Sequence, residues 1–157
     1  MSEKFQGKYR IPSARLPGWD YASDGAYFIT ICTANRHPYF GKISNDAVIY
    51  NPVGIIADVL WHEIKNRYQH LDLGAFVIMP NHLHGILILN GGNLPSDTPS
   101  ASNAISDQKP IPAKNLHMSA ISPKSNSISA IIRSYKSAVT RHANRLKLNF
   151  GWAAAFL

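Results

Sequence analysis

Alternating and helical-period apolar patterns occupy a few well-separated stretches of this chain. Residues 26–34 are rich in β-branched and aromatic side chains, with Phe28, Thr30 and Cys32 on one face and Tyr27, Ile29 and Ile31 on the other. That period of two predicts a strand. Asn35, Arg36, His37 and Pro38 then supply turn chemistry, and Tyr39, Phe40 and Gly41 resume as a short extended piece with Pro38 at its edge. Asn51 followed by Pro52 has the character of a helix start, the first as a cap and the second pre-set for the first helical position. Behind it Val53, Ile56, Ala57, Leu60, Trp61 and Ile64 recur at steps of three and four, which predicts an amphipathic helix to about Tyr68 with its apolar stripe on a sheet. Two apolar runs, 75–79 and 83–89, are split by Pro80 and Asn81 and read as neighbouring antiparallel strands. Ser127 is expected to cap a second helix that buries Ile128, Ile131, Ile132, Tyr135, Ala138, Val139 and Leu146. Arg133, Lys136, Arg141 and Arg145 fall on its remaining faces.

Two stretches lack any apolar period. Residues 1–25 mix Lys4, Lys8, Arg10 and Arg15 with Pro12, Pro17 and Gly18, the composition of an irregular basic arm. Residues 90–127 turn abruptly to Ser, Asn, Pro and Gly and read as a low-complexity flexible insertion. The remainder, 26–157 without the insertion, is expected to form a single domain, which a length of 157 residues permits. With 45% hydrophobic and 10% aromatic residues, wholesale disorder and a fibrous repeat are both excluded.

Compartment and partner follow from what is scarce. No run approaches the roughly 18 apolar residues of a membrane span, and the first residues lack the apolar core of a secretory signal. The one cysteine, Cys32, cannot form an internal disulfide, so the expectation is a cytoplasmic protein with no membrane partner. Sixteen Lys and Arg against nine Asp and Glu give a net charge of +7, suited to a polyanion. The imbalance is concentrated late: the last acid is Asp107, and Lys109, Lys114, Lys124, Arg133, Lys136, Arg141, Arg145 and Lys147 follow it. A solvated basic face has the same signature as a nucleic-acid surface, so charge alone does not choose between them.

Candidate chemistry gathers at Met79, Pro80, Asn81, His82, Leu83, His84 and Gly85. On a strand His82 and His84 project to one side and Leu83 to the other, apolar one. Two residues of rise put the imidazoles about 7 Å apart along the strand, within reach of one metal ion. Pro80 and Asn81 interrupt the ladder in front of them, and Gly85 behind is expected to let a ligand or another backbone approach. The same spacing suits two histidines on the wet face of a half-buried sheet, because only two ligands are visible.

The run 76–88 around this motif, with 27–33 before it and 129–140 after it, resembles the single-tyrosine HUH transposases. More narrowly it is similar to the REP-associated tyrosine transposases and their insertion-sequence relatives. The likeness extends from about Tyr27 to Trp152 apart from the insertion, and the Met79 to His84 core is its specific part. It implies a two-layer α+β fold: an antiparallel central sheet of ferredoxin-like arrangement, helices on one face, and the histidine pair on a central strand. It also implies that His82 and His84 bind a divalent metal, Mg²⁺ or Mn²⁺, that polarises the scissile phosphate of single-stranded or hairpin DNA, and that the protein works as a homodimer. Imidazole ordinarily suits softer ions than Mg²⁺, so the pair alone does not name the metal.

In the family a tyrosine hydroxyl attacks the phosphate, forming a 5′-phosphotyrosine and freeing a 3′-OH. That tyrosine lies on a helix beyond the segment matching Gly151 and Trp152 and is followed by an Asn-Pro pair. Residues 153–157 match neither feature, so the expectation is a C-terminally truncated transposase, with a catalytically inactive nucleic-acid-binding remnant as the alternative. Tyr135 is the fallback nucleophile, although its spacing from Ile128, Ile131 and Ile132 favours the buried stripe. Arg36, Arg133, Lys136, Arg141 and Arg145 are the expected DNA contacts, with the basic helix placed beside the histidine pair. A barrel metal hydrolase using His-x-His is excluded, since it needs about 250 residues and further ligands on later strands.

Overall fold

A computed structural model describes residues 16, 18–91, 124 and 126–153. Most of the basic arm expected over 1–25, most of the insertion expected over 90–127, and residues 154–157 lie outside the described residues. In chain order the elements are β1 (Gly25–Cys32), a 3-10 turn (Ala34–Arg36), β2 (Gly41–Ser44), β3 (Ala47–Tyr50), α1 (Pro52–Arg67), β4 (Leu71–Met79), β5 (His82–Leu89) and α2 (Ile128–Arg145).

The main sheet has the order β1-β5-β4, with β5 antiparallel to both neighbours. β1, α1 and β4 therefore form a split βαβ unit with β5 inserted between its strands. On the outer side of β1, Thr33 makes a single antiparallel bridge to Trp152, and Ala34 and Ala153 donate to the Gly151 and Cys32 carbonyls. The β2–β3 hairpin forms a separate two-stranded sheet that the apolar pattern did not predict. Its two-residue turn places Asn45 and Asp46 at φ 50 and 58, left-handed conformations that these side chains tolerate best.

α1 begins where expected. Asn51 Oδ1 accepts from the amides of Val53 and Gly54, both at 3.0 Å, satisfying two of the donors that a helix start leaves unpaired. Ser127 caps α2 in the same manner through the Ala130 amide. Both helices cover one face of the main sheet. Ile29 and Ile31 from β1, Leu83 and Leu87 from β5, and Ile78 from β4 form a buried layer with Trp61 of α1 and Ile131, Tyr135 and Val139 of α2. Trp61 is the centre of this layer, stacked on Phe76 at 4.5 Å and edge-on to Tyr135 at 5.4 Å. This is the expected two-layer α+β architecture, an antiparallel sheet with helices on one face.

Trp61 also corrects the expectation for Gly85. Because side chains alternate, Gly85 faces the helices with Leu83, away from the histidines. A Cβ there would collide with the Trp61 indole. The glycine thus serves close helix–sheet packing and not ligand approach.

Candidate functional site

Among the described residues, no helix lies on the other face of the sheet. His82 and His84 of β5 project onto it between their cross-strand neighbours: Cys32 and Thr30 on β1, Met79 and Val77 on β4. Both histidines are partly exposed, and their ring centroids are 4.8 Å apart. The expected juxtaposition on one side of a central strand is present.

Each imidazole is held through the same nitrogen. His82 Nδ1 lies 2.7 Å from Asn81 Oδ1 and His84 Nδ1 lies 2.9 Å from Thr30 Oγ1. Asn81 Oδ1 is an acceptor, so His82 donates from Nδ1 and its Nε2 keeps the lone pair. The Thr30 hydroxyl can accept from or donate to His84 Nδ1, so it orients that ring in either tautomer, and where it accepts, Nε2 keeps the lone pair there too. Such outer hydrogen bonds fix tautomer and ring orientation in metal-binding histidines. Burial pushes the His82 pKa below the ordinary imidazole range, and the charges of His84 and Arg36 push it the same way, favouring the neutral, ligating form.

The donor set therefore fits two ligands of a divalent ion that accepts imidazole, Mn²⁺ more readily than Mg²⁺. Among the described residues no group of three or more His, Cys, Asp or Glu is placed to hold a metal. Any further ligands would have to come from solvent, a phosphate oxygen or residues beyond those described.

Arg36 reaches this site through a clamp between two turns. The buried Thr33 hydroxyl lies 2.7 Å from the His37 carbonyl and 2.9 Å from the Asn81 carbonyl, and the Thr33 amide donates to Asn81 as well. The 3-10 turn is thereby fastened to the Pro80–Asn81 turn that precedes His82. Arg36 is exposed at φ 55, a strained backbone for a long side chain.

The remaining candidates go elsewhere. Arg133, Arg141 and Arg145 are exposed on α2, in the helical layer, so the sheet separates that layer from the imidazoles. The basic helix does not flank the histidine pair as expected. Lys136 is turned inward: it is buried, its Nζ lies 5.4 Å from the centroid of the Trp152 ring, and desolvation lowers its pKa to about 8. The helical phase that buries Ile132 and Val139 also carries Lys136 inward, which disqualifies it as an exposed phosphate contact. Tyr135 is buried in the core and donates its hydroxyl to the Ala57 carbonyl at 3.0 Å, while burial raises its pKa. It is a packing residue and is not presented to a phosphate on the open face.

Thr30 and Asn81, the partners that orient the imidazoles, were not singled out as site residues in the sequence. The parity of Thr30 with Cys32 placed it on one face of β1, but the cross-strand register that sets it opposite His84 has no local signal.

No protein-family model matches the chain. A protein from Haemophilus influenzae described as an uncharacterized protein is 32% identical over 151 residues, covering 92% of this chain and 75% of that protein. Identity at that level over nearly the whole chain means that this protein belongs to the same family as the Haemophilus influenzae protein.

Proposed function

We propose that this chain is a single-strand DNA-binding protein of the single-tyrosine HUH transposase kind, using the open sheet face as its binding surface. The observation that carries the reading is the histidine pair: two adjacent imidazoles, each engaged through Nδ1, with Nε2 left for a ligand. In this reading His82 and His84 hold a divalent ion, Mn²⁺ or Mg²⁺. When bound, such an ion supplies Lewis-acid polarisation of a phosphoryl oxygen. Asn81 keeps the His82 ring in the ligating tautomer, Thr30 holds the orientation of the His84 ring, and Arg36 offers its guanidinium to a neighbouring phosphate. Arg133, Arg141 and Arg145 would serve nucleic acid that extends around to the helical layer.

A labelled hairpin oligonucleotide with a single-stranded flank, titrated with the protein in Mn²⁺, tests this. Affinity should fall about tenfold or more between about 50 and 200 mM salt, as phosphate neutralisation requires. Binding indifferent to salt would sink the reading.

Binding without cleavage is a second reading, favoured by Tyr135, whose buried hydroxyl is committed to the Ala57 carbonyl. Incubation with Mn²⁺ and single-stranded DNA, followed by a denaturing gel, separates the two. A covalent adduct lost in Tyr135→Phe would restore that tyrosine as nucleophile; no adduct supports the binding-only protein.

A further inference from the structure

The open face holds a large apolar side chain that neither the core nor the histidine pair requires. Phe28, on β1, is 64% exposed, whereas Ile29 beside it is buried. One face of its ring is stacked on the His84 imidazole, with centroids 5.2 Å apart and an interplanar angle of 22°. Most of the rest of the ring is in solvent. Val77, the β4 neighbour of His84, is 45% exposed, so apolar surface flanks that imidazole on both sides.

The surroundings indicate what such a ring would accept. Among the described strand residues on this face, Asp72 at its far end is the sole acid, and its carboxylate is already held by Lys65 and Asn90. Arg36 adds positive charge at the opposite end, near His82. An exposed aromatic on an antiparallel sheet, beside groups suited to a phosphate, matches the requirement for unpaired bases: a π-face for the base and charge for the backbone. A duplex keeps its bases stacked internally and has no free base face to offer.

We infer that Phe28 is a base-stacking residue, receiving one unpaired nucleobase on its solvent-facing ring surface while the adjoining phosphate is carried toward His84. Stacking tolerates any base, so the residue positions the strand without reading sequence. The neighbouring imidazole limits the ring's freedom, so little mobility is lost when a base arrives. This inference rests on the single-strand reading above.

The test compares two labelled 20-nucleotide probes by fluorescence anisotropy in Mn²⁺: oligo(dT) and an abasic strand with the same backbone. The wild type should bind oligo(dT) about tenfold more tightly than the abasic strand. Phe28→Ala should lose that preference while binding the abasic strand unchanged and keeping the same salt slope; Phe28→Trp should retain it. Because the side chain is mostly in solvent, Phe28→Ala should fold, which circular dichroism checks. Equal weakening on both probes, or an undiminished preference in Phe28→Ala, would overturn the stacking role. A wild type that binds both probes equally and salt-dependently overturns it too, but leaves the single-strand reading standing. A wild type that binds neither probe overturns both.

Discussion

The two faces of the main sheet are made from the same three strands, and adjacent residues meet opposite fates. On β5, Leu83 and Gly85 lie beneath Trp61 and Tyr135 while His82 and His84 face outward. On β1, Ile29 and Ile31 are buried while Phe28 and Thr30 face the histidines. The inner face supplies cohesion through apolar area and close aromatic packing. The outer face holds polar groups whose hydrogen bonds orient two imidazoles. Stability and candidate chemistry are thus separated by the pleat, one residue apart, and substitutions along a single strand should separate them again.

The strongest contrast is between Leu83 and His84. Leu83→Ala, at a fully buried position, should cost about 2–5 kcal/mol in urea unfolding. His84→Ala, one residue on, should cost about 1 kcal/mol without metal, because it gives up a part-buried hydrogen bond and ring contacts that lie partly in solvent. Comparable losses at both positions would mean that the outer face is also structural. Gly85→Ala comes next, since the new methyl must displace the Trp61 ring. An overpacking loss of about 1–3 kcal/mol is expected, and an unchanged unfolding midpoint would contradict the packing assigned to that glycine.

Lys136 gives a pH test of the helical layer. Its folded pKa of about 8 lies below the ordinary 10.5, so between these values the unfolded chain binds more protons and stability rises with pH. The gain should be about 1–2 kcal/mol, less than the full shift implies because the ammonium keeps some solvent. It is best read between pH 8 and 9.5, below the ordinary tyrosine range, where the raised pKa of Tyr135 would act in the opposite sense. Lys136→Met should flatten the rise, and a wild type without it would contradict the burial of this lysine. The smallest effect is expected at Arg36. Arg36→Gly relieves a left-handed backbone and should stabilise by up to about 1 kcal/mol, while lowering the salt slope of DNA binding by about one unit.

Much of this layout was legible in the sequence because the period changes are clean. Residues 26–34 alternate, 83–89 is an apolar run bounded by the Pro80–Asn81 break, and 52–67 has a continuous helical stripe behind its Asn-Pro start. The parity that put His82 and His84 opposite Leu83 holds in the structure. β4 was predicted four residues short because a bulge after Leu73, where Gly74 and Ala75 face Ile86, breaks its alternation. The β2–β3 hairpin was missed because its strands are four residues each, with Ile43 and Ile49 exposed, and its Asn-Asp turn lacks the usual glycine. Lys136 was misplaced because its charge outweighed its helical phase, and the Trp152 ring that covers it is distant in sequence. The clamp that brings Arg36 to His82 depends on the Thr33–Asn81 contact, a tertiary pairing with no local pattern.

The proposed function turns on the two imidazoles acting together as ligands on the open face. Isothermal titration of the purified full chain with Mn²⁺ tests this most directly, alongside the His82→Ala and His84→Ala variants. One ion per chain is predicted for the wild type, with each single variant losing the binding while keeping a near-native unfolding midpoint. Undiminished Mn²⁺ binding in both variants, or no binding by the wild type, would contradict the account.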